Sequence, residues 1–271
     1  MKFLNLLLYF YVNTSIHVSL SVVALTQITS LATEIETPFQ LKLFIFCSTL
    51  VAYNFIRYYE LFKNQSMVYT PFIHGMLGIS FCLLGVGLFC FVFFPFSVQI
   101  LSLAVGALVL LYTLPFGKAN GNFRNYGGLK IYLVALSWVL ITVGLPSLYL
   151  DFFSTFSLWM ALIQFVFILV AIQPFDIRDL KLDLVSLNTW PQRFGIRKTK
   201  WLGTVLLFLL IIGMLCFSPF LSSFTQPSLL AFLLLFVFLL KSKPNQGRYF
   251  SSFWVEGIPL FWWVLYQGIF L

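Results

Sequence analysis

Long apolar stretches separated by short polar segments run along the whole chain. Nine such stretches occur, at about residues 5–31, 39–63, 71–93, 96–114, 129–150, 152–173, 201–217, 227–240 and 250–271. Uncharged runs of about 18 or more residues recur, and each is long enough to cross the ~30 Å hydrocarbon core of a bilayer. Open sheet edges cannot be satisfied in lipid, so helices are favoured over strands. The pattern predicts an all-α, polytopic membrane bundle of nine transmembrane helices, forming one domain over residues 1–271.

Composition and charge agree with this class and exclude others. The chain is 61% hydrophobic and only 9% charged, a balance that soluble domains do not have. Its net charge of +8 does not indicate nucleic-acid binding, because the basic residues lie between spans rather than in one patch. Apart from Lys42, they lie at the N-terminus or in the loops at about 57–70, 115–130, 176–200 and 241–249. The positive-inside rule therefore predicts that the N-terminus and these four basic loops are cytoplasmic and that the C-terminus lies outside.

Two further groups of residues are candidates for a site: the polar residues inside the first stretch and the scattered cysteines. Asn13, His17 and Ser21 recur every four residues, so they share a helical face that should point into the bundle. For His17, hydrogen-bonded packing is favoured over a role as ligand or proton relay. The cysteines show no metal-binding or redox spacing and are interpreted as packing residues; they are Cys47, Cys82, Cys90 and Cys216.

Three carboxylates stand out between the sixth and seventh stretches: Asp176, Asp179 and Asp183. Spacings of three and seven place them on one face if the segment is helical. Adjacent like charges repel, and a divalent cation relieves that repulsion. Mg²⁺ favours one or two carboxylates together with phosphate oxygens and water, so the pattern indicates a Mg²⁺–diphosphate site. The alternative is a solvated helix whose charges are balanced by neighbouring bases; these are Arg178, Lys181 and Arg193.

The order of residues in this region resembles a known motif. DIRD at 176–179, Asp183, Asn188-Thr189 and RFG at 193–195 are similar to the second aspartate-rich motif of the UbiA-type intramembrane prenyltransferases. The resemblance implies a nine-helix fold and a polyprenyl diphosphate donor bound through Mg²⁺. It also implies catalytic and metal-binding roles for Asp176, Asp179 and Asp183. A bacterial-type inner membrane is the expected location.

The first aspartate motif of that family is not retained. Its pattern is Asn-Asp-x2-Asp-x3-Asp at the end of the second span, and Asn54 occupies the first position. The three aspartate positions hold the aromatic residues Phe55, Tyr58 and Phe62. Glu60 is acidic but out of register with the motif. Arginine forks match phosphate oxygens. Arg57, together with Arg178, is therefore a candidate for direct contact with the diphosphate.

Two further stretches resemble the family, which extends the resemblance over about residues 50–200. The sequence YTLP at 112–115, followed by Lys118, is similar to the turn after the fourth span. Gly128-Leu129-Lys130 is similar to the start of the fifth span. The resemblance implies that Tyr112, Lys118 and Lys130 bind substrate near the diphosphate. For the two lysines, anchoring at lipid headgroups is the alternative.

These observations predict a prenyltransferase that moves a prenyl group from a polyprenyl diphosphate to an acceptor that the sequence does not identify. A non-catalytic relative that binds a lipid diphosphate or a partner protein is the alternative, because the first motif is absent. A small-molecule transporter is less favoured, since no inverted repeat with paired interrupted spans is visible.

Overall fold

The computed structural model describes residues 2–63, 71–114, 127–184, 187–217 and 224–270, and within these ranges the chain is all-helical. The helices are α1 (Lys2–Asn13), α2 (Ile16–Thr33), α3 (Phe39–Lys63), α4 (Pro71–Val92), α5 (Phe96–Thr113), α6 (Lys130–Val139), α7 (Leu145–Tyr149), α8 (Thr155–Arg178), α9 (Trp190–Phe217), α10 (Thr225–Lys241) and α11 (Ile258–Phe270). A π-helical turn at Leu140–Gly144 joins α6 to α7, and another at Phe250–Val255 precedes α11.

Within those ranges, seven helical segments are long and apolar enough to cross a membrane. The chain is therefore an integral membrane protein of the polytopic helical class, as the sequence predicts. Each of the nine predicted stretches coincides with a helix or a run of joined helices. However, α10 has 17 residues and α11 has 13, so length and composition support seven spans rather than nine.

Three element boundaries differ from the sequence prediction. The first stretch is broken at Ser15, whose φ of 62° separates α1 from α2. Helix α8 continues through Pro174 to Arg178, so it contains Asp176. Helix α9 begins at Trp190 and is kinked at Gly195, where φ is 80°. At α8 and α9, polar segments predicted to lie between spans are helical, because packing against neighbouring helices overrides local propensity. At Ser15 the difference is the reverse, since a stretch predicted as one helix is interrupted.

The helices close into a circuit. Helix α2 packs against α3 and α11, α3 packs against α5, and α5 packs against α6. The circuit continues from α6 to α8, then to α10, and returns through α11 to α2. Helix α4 lies outside it against α3, and α9 lies against α8 and α10. Helix α2 also packs directly against α8 across this circuit.

The core has a polar as well as an apolar component. Gln164 on α8 is fully buried and donates to the Leu25 carbonyl at 3.1 Å and to Thr29 Oγ1 at 2.8 Å. Because hydrocarbon offers no partners, such interhelical hydrogen bonds fix the register of neighbouring helices. His17 and Ser21 are buried in the interior, as the sequence predicts, and contact the segment before α11. Asn13 ends α1, so the break at Ser15 separates it from the helical face that it was predicted to share with them.

Candidate functional site

A cavity of about 520 Å³ lies between the ends of α1, α3, α6 and α8 and the segment that precedes α11. We call it the charged cavity. Its charged lining residues are Arg57, Lys130, Asp176, Arg178, Asp179, Arg248 and Glu256. Five of the nine predicted site residues are therefore brought to one space, although they come from three different helices and the turn after α8.

Lys130 joins two of the three aspartates. Its Nζ donates to Asp176 Oδ1 at 2.8 Å and to Asp183 Oδ2 at 3.1 Å. The side chain of Asp176 is 1% exposed, and those of Asp183 and Lys130 are 10% and 15% exposed. Buried charges persist only when they are paired. Lys130 is thus the cation that pairs with the buried Asp176 carboxyl group.

A pair of glycines lets the start of α6 approach the loop after α8. Gly128 has a φ of 82°, and its N–H donates to the Leu187 carbonyl at 2.8 Å. A Cβ atom on Gly127 would lie 2.6 Å from Nδ2 of Asn188. Gly128 adopts the positive φ without strain, and Gly127 avoids a close contact with the Asn188 side chain. This docking of the two segments brings Lys130 next to Asp176 and Asp183.

Asp179 is separated from the other two aspartates. Helix α8 ends at Arg178, and residues Asp179–Lys181 form a 3₁₀ turn. The prediction that all three aspartates share one helical face is therefore wrong, because the helix ends before the last two. Arg178 instead holds Asp179 in a fork, with Nε to Oδ1 at 2.7 Å and Nη2 to Oδ2 at 2.8 Å.

Arg57 and Asn54 point in different directions from α3. Arg57 lines the charged cavity, and its Nη1 donates to the carbonyls of Val12 and Asn13 at 3.1 and 2.8 Å. It therefore satisfies carbonyls at the end of α1 that have no partner within that helix. Asn54 is buried and donates to Ser80 Oγ on α4 at 2.9 Å. Asn54 does not line either cavity described here, so the structure does not bring it to the predicted substrate site.

A second cavity, of about 630 Å³, lies among α3, α4, α5 and α6. We call it the apolar cavity, because hydrophobic side chains provide nearly all of its wall. Tyr112 lines it and does not line the charged cavity. Lys118, the remaining predicted substrate-binding residue, lies outside the described residues.

The two cavities adjoin. Tyr53, Ile56, Val134 and Trp138 line both of them. Within this shared wall, Trp138 Nε1 donates to Tyr53 Oη at 2.8 Å, and their rings meet edge to face. An aromatic pair with satisfied polar ends makes a boundary that presents ring faces to an apolar space.

Sequence reasoning missed two residues of the charged cavity, Arg248 and Glu256. Arg248 lies over the ring of Tyr9, with 4.7 Å between Cζ and the ring centroid. Glu256 was interpreted as part of a membrane span. A carboxylate within an apolar stretch was the available signal, since an ionisable residue at membrane depth is a functional-site hypothesis by default.

The positions and contacts of the aspartate oxygens decide whether these residues can bind one Mg²⁺ ion. Among the described residues, no group of three or more His, Cys, Asp or Glu side chains lies close enough together to hold a metal ion. Both oxygens of Asp179 face Arg178, whereas Lys130 occupies one oxygen each of Asp176 and Asp183. Asp176 Oδ2 is buried and has no hydrogen-bond partner. That oxygen fits a single metal ligand, but the three aspartates do not form one ligand set.

The fold and the cavities define a polytopic helical membrane protein with a charged interior site beside an apolar one. No protein-family model, curated protein or solved structure matches the chain.

Proposed function

We propose that this protein is a UbiA-like prenyltransferase that binds a polyprenyl diphosphate. The diphosphate occupies the charged cavity, and the prenyl chain occupies the apolar cavity. One observation carries the proposal: the charged cavity, lined by four cationic and three acidic side chains, shares a wall with a larger apolar cavity. A molecule with an anionic head and a hydrocarbon tail matches both spaces.

The cations of the charged cavity support the head of this ligand. Arg57, Lys130, Arg178 and Arg248 approach it from four different parts of the chain. Guanidinium groups form paired hydrogen bonds with phosphate oxygens, which gives geometric specificity as well as attraction. Arg178 already makes such a fork with the Asp179 carboxylate, so its planar group is oriented toward an oxyanion.

The apolar cavity supports the tail. It extends along α3 from Phe44 to Ile56, a distance of about 18 Å at 1.5 Å per residue. Its predominantly apolar walls give a prenyl chain extensive van der Waals contact. The Tyr53–Trp138 pair stands between head and tail, where the first isoprene unit would lie.

In the proposed reaction, the bond between C1 of the prenyl group and the diphosphate oxygen breaks, and the electron pair leaves with the diphosphate. The cationic side chains stabilise this leaving group in a site that excludes bulk water. The nucleophilic atom of the acceptor forms a bond to C1 and loses one proton. Trp138 and Tyr53 present ring faces that stabilise the allylic cation.

Mg²⁺ belongs to the proposal as an additional stabiliser of the leaving group. Asp176 is the residue that would hold it, because Oδ2 is its unpartnered oxygen. Mg²⁺ commonly takes one or two carboxylates and completes its shell with phosphate oxygens and water. The proposed setting is a bacterial-type inner membrane with nine spans and a cytoplasmic N-terminus.

A non-catalytic UbiA-like protein that binds a lipid diphosphate is the second candidate. The observation favouring it is on α3, where aromatic residues occupy the aspartate positions of the family motif and Asn54 bonds to Ser80. Such a protein would keep the head and tail sites but would not ionise the ligand.

Purified protein in lipid nanodiscs, titrated with radiolabelled geranylgeranyl diphosphate with and without Mg²⁺, tests the proposal. We expect saturable binding that pyrophosphate displaces and geranylgeraniol displaces poorly. The Arg178→Gln variant should weaken binding at least tenfold, whereas the exposed Arg197→Gln control should not. Absence of saturable binding under both conditions would refute a diphosphate site. Binding without release of pyrophosphate, across a panel of hydroxylated aromatic acceptors, would favour the non-catalytic candidate.

A further inference from the structure

The end of α1 forms part of the wall of the charged cavity. Val12 and Asn13 line the cavity, and their carbonyls accept hydrogen bonds from Arg57 Nη1. The Tyr58 hydroxyl donates to the Asn13 carbonyl at 3.1 Å. These three bonds join the last turn of α1 to α3. Tyr9 lies one turn earlier, where its carbonyl accepts from Asn13 Nδ2 at 2.7 Å, so Tyr9 has a fixed place beside the cavity.

The ring of Tyr9 contacts two other parts of the chain. Its centroid lies 5.5 Å from the ring centroid of Phe72, in the first turn of α4. It lies 4.7 Å from Cζ of Arg248, in the loop after α10. Tyr249 provides a second ring for Arg248, at 5.7 Å. Arg248 is an exposed residue that lines the charged cavity, so without these rings its long side chain would sample many rotamers.

The contacts of Arg248 differ from those of the other three cations in the cavity. Arg57 donates to backbone carbonyls, whereas Lys130 and Arg178 donate to aspartates. Within the described residues, the guanidinium group of Arg248 has ring contacts but no hydrogen bond or ion pair. A ring contact engages the positive charge and leaves the five N–H donors available. Arg248 can therefore bind phosphate oxygens without giving up a hydrogen bond within the protein.

We infer that Tyr9 is a positioning residue, which holds the Arg248 guanidinium group at the charged cavity so that its N–H donors bind the diphosphate. Arg248 contacts the ligand, and Tyr9 acts through Arg248. A guanidinium group that is already held loses less conformational freedom when the ligand binds, which strengthens binding. The inference rests on the proposed function, because it presupposes a phosphate ligand in the charged cavity.

The test measures binding of inorganic pyrophosphate to the full-length protein in nanodiscs at fixed ionic strength. Arg248→Gln should weaken binding about tenfold, because it removes a charge-assisted hydrogen bond. Tyr9→Leu should weaken binding about two- to fivefold, which corresponds to the strength of an exposed cation–π contact. Tyr9→Phe keeps the ring and should bind as the unmodified protein does.

A double variant separates positioning from a general structural role. In the Arg248→Gln background, Tyr9→Leu should have no further effect, because the residue through which Tyr9 acts is absent. Phe10→Leu is the matched control. Phe10 follows Tyr9 on α1 and contacts the same Phe72 ring, with 6.0 Å between centroids, but Arg248 lies over other rings. This variant should bind pyrophosphate as the unmodified protein does.

The outcomes separate the two proposals. Weaker binding by Tyr9→Leu that disappears in the Arg248→Gln background supports the positioning role. Equal weakening in both backgrounds, unchanged binding by Tyr9→Leu or Arg248→Gln, or similar weakening by Phe10→Leu overturns it. In each of those cases the proposed function stands if Arg178→Gln still weakens binding tenfold.

If the unmodified protein binds neither pyrophosphate nor geranylgeranyl diphosphate, the proposed function and the positioning role are both overturned. Unfolding temperatures establish that each comparison is made between folded samples. Tyr9→Met, which also removes the ring, replaces Tyr9→Leu if the leucine variant does not fold.

Discussion

Lys130 Nζ lies 2.8 Å from Asp176 Oδ1, and this contact joins the first residue of α6 to the last turn of α8. The same ammonium group reaches Asp183 at 3.1 Å. One buried cation therefore holds together a helix start, a helix end and the loop that follows. The contact forms one wall of the charged cavity, so the stability of the fold and the shape of the site depend on the same pair.

Replacing Lys130 with Met should strongly destabilise the protein. The substitution keeps an unbranched side chain that is one heavy atom shorter, but it leaves Asp176 as a buried, unpaired carboxylate, which costs about 3–5 kcal/mol when one partner of a buried pair is lost. Unfolding monitored in nanodiscs measures the loss. The Asp176→Asn change in the same protein should restore part of the stability, because it removes the unpaired charge.

The control for this prediction is Lys42→Met. Lys42 is 3.9 Å from Glu36, whose side chain is 91% exposed, and such surface pairs contribute about 0–1 kcal/mol. If Lys130→Met were no more destabilising than Lys42→Met, the buried network would not have the role described here.

Gly127→Ala should weaken the docking of α6 against the loop after α8. The added Cβ would be 2.6 Å from Asn188 Nδ2 and 3.3 Å from Asn188 Cβ. Overpacking of this kind costs about 1–3 kcal/mol. Diphosphate binding should weaken as well, because the shift moves Lys130. Unfolding and radioligand binding measure the two effects.

A second substitution tests the cause. Asn188 has a φ of 44°, so Asn188→Gly removes the obstructing side chain while tolerating the backbone conformation. The double variant should recover most of what Gly127→Ala loses. Gly85→Ala is the control, because no atom lies within 4 Å of its added Cβ. Equal losses in Gly127→Ala and Gly85→Ala would contradict the proposed contact.

Much of the fold follows from the sequence alone because hydrocarbon imposes strict conditions on a chain. Apolar length predicts the helices, and the break between the stretches at 129–150 and 152–173 is confirmed by the turn at Asp151, whose φ is 49°. Interior placement of His17 and Ser21 is confirmed because a polar stripe at helical spacing has only the bundle interior in which to bond. The helix ends were harder to predict from the sequence, because Asp176 and Trp190 are helical through packing rather than through local propensity.

The candidate site was only partly predictable. The Gly-Leu-Lys stretch and the aspartates indicated the right segments, but not that Lys130 pairs with Asp176 while Asp179 pairs with Arg178. Those pairings depend on how two loops dock, which no local pattern encodes. Tryptophans in the last predicted stretch are expected in a belt at the membrane interface, yet Trp262 is fully buried and donates to Ser228 Oγ at 3.1 Å. An indole with a polar partner fits either environment, so its sequence position did not decide.

Topology can be tested with single cysteines in a variant whose four native cysteines are replaced with alanine. Asp151→Cys and Leu182→Cys introduce thiols at exposed positions, and Leu182 is 83% exposed. A cytoplasmic N-terminus with one crossing for each predicted stretch places Asp151 outside and Leu182 inside. We expect a membrane-impermeant maleimide to label the Asp151→Cys variant in intact cells.

The Leu182→Cys variant should be labelled only after the membrane is permeabilised. The reverse pattern would contradict the predicted orientation, and labelling of both variants in intact cells would contradict the predicted number of crossings between them. The cysteine-free parent protein measures background labelling.

Filling the apolar cavity should change which prenyl chains bind. Gly106 on α5 lines this cavity, and no atom lies within 4 Å of a Cβ built there. Gly106→Leu therefore adds a side chain at the wall of this cavity, where its Cβ meets no protein atom within 4 Å. Binding of geranylgeranyl diphosphate should weaken by about tenfold or more, because the longest chain loses buried apolar contact. Dimethylallyl diphosphate is too short to reach this region and should bind unchanged.

Gly78→Leu is the matched control for Gly106→Leu. Gly78 is also a helical glycine with open space around a built Cβ, but it lines neither cavity. Its substitution should leave the binding of both ligands unchanged. Neither substitution touches the charged cavity. Weaker binding of geranylgeranyl diphosphate alone would therefore place the prenyl tail in the apolar cavity. Equal weakening of short and long chains in Gly106→Leu would instead indicate a general structural effect and would remove the apolar cavity as the tail site.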